Sequence, residues 1–444
     1  MSHTNSRLAL ATALAASLTT SAVLAQEPAP DPHFAAQYFQ EARVVSQHDG
    51  GSLWGKTLYG PMLFVDPATR SVVANLADDK AGLSRNGKVF TGTLPKGIGI
   101  ANTDIEWAGV HWTMVVWPLP EDAHAREVLM MHECFHRLQQ ALVLRAPDLA
   151  NDHLDTTKGR VWLQLEWRAL EAALVGSGRS RAEAVRDALL FRAYRRSQFP
   201  AAAAAENALE IQEGLAQYTG VKAAARYPAE ATIDAVLGLA TAPRKPSFVR
   251  SFAYASGPAY GLLLDALSPG WRSRLDPRSD LGSILQHALS ITLPADPRQE
   301  AEQRATEYGG ADLRSEEAAR STARQDRVSS YRARFLTGPV LILPLRKISY
   351  SFDPNGLVPL GGIGTVYPWL NASDTWGTLI AKHGALITRN GSGMTGIRLS
   401  APTEPSARPL KGDGWTLQLK PGWRVVPGPR KGDYTLQAPP SGKP

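Results

Sequence analysis

Cysteine is almost missing. Cys134 stands alone in 444 residues, so no intramolecular disulfide can form and the packed core must hold the chain together. Beyond the N-terminus no apolar run is long enough to span a bilayer, which argues against stable membrane insertion of a mature chain. The formal charge is +7 and the pI about 9.4, yet the basic residues are scattered and no RNA- or DNA-binding motif accompanies them. That pattern suits solubility or attraction to acidic surfaces and excludes nucleic acid as the expected partner.

What is present points to a well-packed globular protein. Hydrophobic residues make up 43% of the chain and include 11 Trp, and the length calls for two or three domains. Residues 1–25 read as a secretion signal: Arg7 gives a positive start, Leu8 to Leu24 is apolar or small, and cleavage is expected after Ala25. The mature chain is therefore expected in the periplasm or outside the cell. Residues 26–120 begin with a Pro-rich lead-in (26–32). From about Phe39 they read as short strands, including Ser52–Gly60, Met62–Asp66, Ser71–Asn75 and Lys88–Gly92. The last of these, Gly109–Pro118, alternates cleanly and could act as an edge strand that pairs with an extended peptide. Residues 121–334 read as helical, with helices at Arg160–Val175, Arg181–Tyr194 and Ala201–Tyr218, the last ended by Gly220. Residues 335–444 return to strand signals, an all-β sandwich or barrel without a fixed repeat. The expected class is α+β, a mainly helical catalytic domain flanked by two β regions.

The chemistry concentrates at Met131-His132-Glu133-Cys134-Phe135-His136, a match to H-E-x-x-H. On a helix His132 and His136 share one face, so both imidazoles can reach one metal ion. Glu133 lies about 100° round from His132, where it can take a proton from a metal-activated water without ligating. Cys134 should point into the core. Asp122 opens the helix, and Val128, Met131, Phe135, Leu138 and Leu142 make an apolar stripe through it.

Two histidines need a third protein ligand. The candidates are His153, Glu166 and Glu213. Glu166 has Trp162, Leu163, Ala169 and Leu170 as helical neighbours, so its carboxylate should be buried and need a cation: a metal, Arg168 or a ligand imidazole N–H. Glu213 is followed by Gly214, a helix-weakening residue that close approach of another backbone would explain.

His132-Glu133-x-x-His136 followed by Glu213-Gly214-Leu215-Ala216 resembles the gluzincin metallopeptidases, especially the aminopeptidase-N and glycyl-aminopeptidase families. Tyr254-Ala-Ser-Gly257 is similar to their Y-x-K-G segment. The resemblance covers these segments alone. Gln212 and Ser256 stand where those families carry Asn and Lys, and Arg137 where they carry an uncharged residue. It implies a zincin-like catalytic domain with Zn2+ on His132, His136 and Glu213. It also implies Tyr254 as donor to the oxyanion. Glu166 or Asp155 is expected behind the ligands, fixing a His tautomer or serving as an alternative ligand. The expected function is an exported zinc metallopeptidase acting on a peptide or protein substrate, with Glu133 as general base. The alternatives are a metal-dependent hydrolase of non-peptide substrates and a non-catalytic envelope binding protein with a structural metal.

Overall fold

A computed structural model describes residues 29–439 apart from 79, 353–355 and 392, so the expected signal over residues 1–25 lies outside the described residues. The chain is α+β, with most strands before residue 117 and after 339 and helices between. It divides into two compact units, one ending at Ala141 and the other starting at Leu142. The sequence expectation had breaks at 120/121 and 334/335. The H-E-x-x-H helix is thus grouped with the strands that precede it, and the C-terminal sheets with the central helices. Among the described residues no helix is long and apolar enough to cross a membrane.

The first unit opens with a helix, α1 (Pro32–Asp49), where the sequence suggested a lead-in and β structure. Asp31 caps it by accepting from His33 N, Pro32 presets the first turn, and Gly50 ends it in the left-handed conformation. Phe39, Ala42 and Val45 bury one face. The expected strand at 52–60 is a turn region instead, because the Asp49 carboxylate gathers Gly51 N, Ser52 Oγ and Leu53 N.

The strands β1 (Met62–Val65), β2 (Ser71–Ala74), β3 (Ser84–Asn86), β4 (Val89–Thr93), β5 (Thr103–Trp107) and β6 (Val110–Val116) form one sheet. Their order is β3-β4-β2-β1-β6-β5. β6 runs parallel to β1 and antiparallel to β5, so its backbone is paired on both sides. That corrects the expectation of an edge strand: β6 is interior and has no free ladder to offer a peptide. Its alternation is as expected. Trp112 and Met114 join Leu63 and Val65 in one cluster, while Thr113 on the other face reaches Cys134 Sγ at 4.0 Å.

The H-E-x-x-H helix, α2 (Ala123–Gln139), starts where Asp122 accepts from Ala125 N at 2.8 Å. Two arginines tie it down. Arg126 forms a two-pronged pair with Glu41 of α1 at 2.8 and 2.9 Å. Arg137 donates to the Leu58 carbonyl at 2.7 Å and lies flat on Gly60, where any Cβ would meet the guanidinium at 2.5 Å. Arg137 is thus an anchor for α2.

The second unit begins with the helices α3 (Thr157–Val175), α4 (Gly178–Ser197), α5 (Ala202–Leu209), α6 (Leu215–Ala224), α7 (Pro228–Thr241) and α8 (Phe252–Leu267). A π turn, Glu210–Gly214, joins α5 to α6, with Leu215 N reaching back to Glu210 O. The expected stop at Gly220 is absent. Gly220 is buried within α6, which runs on to Ala224 before Pro228 starts the next helix.

A buried ion network locks α3, α4, α5 and the π turn together. Arg192 donates to Glu166 at 3.0 Å and to Glu210; Arg195 donates to Glu166 and, through two nitrogens at 2.9 Å, to Glu206. Past the 310–332 helix, two sheets of seven and five strands among the described residues share one core containing Trp376, Leu379, Ile397, Trp415 and Leu417. The C-terminal part is therefore a sandwich.

Candidate metal centre

Helical spacing puts His132 and His136 one turn apart on α2, and the structure turns their rings toward each other. The ring planes lie 72° apart with centroids at 4.8 Å, and the two Nε2 atoms are 3.0 Å apart. Tetrahedral zinc with Zn–N bonds near 2.05 Å separates its ligand atoms by about 3.3 Å, so the pair is close to chelating geometry. Gln139, one turn further on and fully buried, accepts from His136 Nδ1 at 2.8 Å. A proton held on Nδ1 leaves the lone pair on Nε2, which is the tautomer a metal ligand needs. Glu133 is buried beside them, with Oε1 3.9 Å from His132 Nε2. Cys134 turns away as expected. Its burial pushes the thiol up to about 12, so it is an inert apolar filler.

Glu213 sits inside the π turn, and the turn explains its placement. An i→i+5 turn carries an extra residue, which shifts the side-chain direction relative to a regular helix. Gly214 next to it packs backbone to backbone on Gly257 of α8. A Cβ on Gly257 would stand 2.3 Å from Gly214 Cα, and one on Gly214 would meet Gly257 Cα at 3.1 Å. This contact is the close approach that Gly214 suggested in the sequence. It brings Tyr254, one turn before Gly257, over Glu213: Tyr254 Oη donates to Oε2 at 2.6 Å. Arg250, in the turn before α8, donates to Oε1 at 3.1 Å. Tyr254 is 40% exposed, whereas Phe252 and Tyr260 on the same helix are buried.

His132, His136 and Glu213, all buried, each offer one ligand atom, and these atoms lie within 4.8 Å of one another. The group can hold a metal ion. Two imidazoles and a carboxylate form the three-ligand set of hydrolytic zinc sites, which leaves a coordination position for water; closed structural sites supply four protein ligands.

The other candidates have different partners. Glu166 is fully buried as expected, but Arg192, Arg195 and Tyr260 supply its donors, and Arg168 instead donates to the Tyr308 carbonyl. Glu166 is thus neither a ligand nor a histidine's partner. Asp155 accepts from Phe248 N at 2.8 Å and faces Arg160 at 3.8 Å, so it too belongs to the scaffold. His153 pairs with Glu206 at 2.9 Å. Sequence reasoning missed Gln139 and Arg250. The signal for Gln139 was its i+3 spacing from His136, and that for Arg250 its position four residues before Tyr254.

No family model, curated protein or solved structure matches the chain.

Proposed function

We propose that the chain is a zinc-dependent hydrolase, acting on peptide bonds, in an exported protein. The observation that carries this reading is the buried group of two helical imidazoles and one carboxylate, with a second carboxylate, Glu133, next to His132. Bound zinc would polarise the scissile carbonyl and lower the pKa of water to about 7. His132 and His136 would ligate through Nε2, with Gln139 fixing the His136 tautomer. Glu133 would take the proton from the attacking water and pass it to the leaving amine. Tyr254, which donates to Glu213, would donate to the carbonyl oxygen as charge builds there. The similarity of His132-Glu133-x-x-His136, Glu213-Gly214 and Tyr254 to gluzincin segments supports the same assignment.

The test combines metal analysis of the purified chain with a panel of peptides and matching esters, each with and without chelator. Chelation should stop turnover and leave the fold intact, and Glu133→Ala should abolish turnover while zinc stays bound. A panel that shows esterolysis alone would move the substrate class. Activity that survives Glu133→Ala would end the hydrolase reading, and a chelator that unfolds the whole chain would favour a structural ion.

A further inference from the structure

Arg250 is a cation next to Glu213, and its two terminal nitrogens serve different partners. One donates to Glu213 Oε1 at 3.1 Å; the other pairs with Asp148 Oδ1 at 3.0 Å. The Glu213 side chain is 10% exposed, that of Arg250 57% and that of Asp148 81%. The guanidinium therefore reaches from a buried carboxylate to open solvent. A pair as exposed as Arg250–Asp148 is screened by solvent and contributes little, so Asp148 is readily exchanged.

Once a divalent cation takes the Glu213 charge, Arg250 faces a cation through that carboxylate and gains from an anion on its outer side. Asp148 supplies one anion from within the chain, and its Oδ1 marks the position another carboxylate would occupy. A planar guanidinium accepts a carboxylate on two parallel N–H bonds, which a point charge such as Lys does not. Resting on the hydrolase reading of this site, we propose that Arg250 selects substrates that carry a carboxylate beside the scissile bond, with Asp148 as its stand-in. The guanidinium lies one hydrogen bond from Glu213. At about 3.5 Å per residue of extended chain, the selected carboxylate then belongs to the residue at the cleaved bond or the next one. Either a free C-terminus or an acidic side chain meets that requirement.

One peptide sequence, prepared as the free C-terminal acid, as the C-terminal amide, and as the amide with Glu after the central bond, separates the two sources. With the zinc-loaded full chain, at least one carboxylate form should exceed the plain amide by about tenfold in kcat/KM, the gain lying in KM. Arg250→Ala should erase that ratio and Arg250→Lys should keep only part of it. Asp148→Asn, which removes the internal competitor, should lower KM for the preferred acid further. Equal rates on all three peptides, or a ratio unchanged in Arg250→Ala, overturn the proposal and leave the hydrolase reading standing. Binding of the same peptides to the Glu133→Gln chain, followed by calorimetry, needs no turnover. If nothing is cleaved, the hydrolase reading fails. Arg250-dependent binding of the acid form would still support carboxylate selection, and indifferent binding would overturn it.

Discussion

The Tyr254 hydroxyl lies 2.6 Å from Glu213 Oε2, and the two residues are brought there by glycines: Gly214 follows Glu213, Gly257 stands one turn after Tyr254, and the glycine backbones touch. Removing the hydroxyl alone separates chemistry from packing. On the proposed mechanism Tyr254→Phe should lower kcat by about a hundredfold with little change in KM, the loss expected for one oxyanion donor. Steady-state kinetics on the cleaved peptide decide it, and an unchanged kcat would remove Tyr254 from the mechanism.

The glycine contact itself should be intolerant. Gly257→Ala places a methyl 2.3 Å from Gly214 Cα, so the helices must part. Overpacking of this kind costs about 1–3 kcal/mol. Gly214→Ala, which meets Gly257 at 3.1 Å, should be milder. Urea denaturation measures both. If Gly257→Ala is as stable as the parent, the backbone contact is not tight.

Gln139 offers a test of metal affinity that does not depend on turnover. Loss of the acceptor at His136 Nδ1 in Gln139→Ala should weaken zinc binding about 10–100-fold, as for other residues that orient ligand imidazoles. Gln139→Glu, which restores an acceptor, should recover most of it. Competition with a chromogenic chelator reads the affinity. An alanine variant that binds zinc like the parent would show that His136 needs no such partner.

The buried network behind the π turn should make the chain acid-labile. Burial pushes the Glu206 carboxyl up, but Arg195 and Arg196 outweigh it and hold it well below its ordinary 4.5. Folded Glu206 stays ionised where the unfolded chain takes up a proton. Its contribution is therefore complete above about pH 4.5 and lost as the pH falls toward the depressed folded value. Thermal midpoints measured from pH 7 to 3 should fall below about 4.5, with a shallower slope in Glu206→Gln. Arg195→Met, which strips a fully buried cation from Glu166 and Glu206, should cost about 3–5 kcal/mol at neutral pH.

Much of this architecture was legible in the residues. The helix through His132 and His136 was readable from its Asp122 start and apolar stripe, and the inward Cys134 from its angle on that helix. β6 was readable from its alternation, and most C-terminal strands from their Gly-bounded runs. Missed features were those in which local signals compete. Asp31-Pro32 is a helix start, but the Pro-rich context around it read as a lead-in. Ser52–Gly60 has strand-like composition, but Asp49 captures its backbone into turns. Gly220 looked like a stop, yet burial keeps it inside α6.

By itself the sequence determined which groups could act together along one helix: two imidazoles at i and i+4 and a base between them. Helical periodicity is local and needs no knowledge of distant chain. Which carboxylate stands with them was a tertiary decision. Glu166 and Glu213 are both buried acids in helical context, and composition cannot rank them. The fold spends Glu166 on Arg192 and Arg195. A π turn and a glycine–glycine contact present Glu213 to Tyr254 and Arg250, because only packing between remote segments sets the direction of a side chain relative to residues far off in sequence.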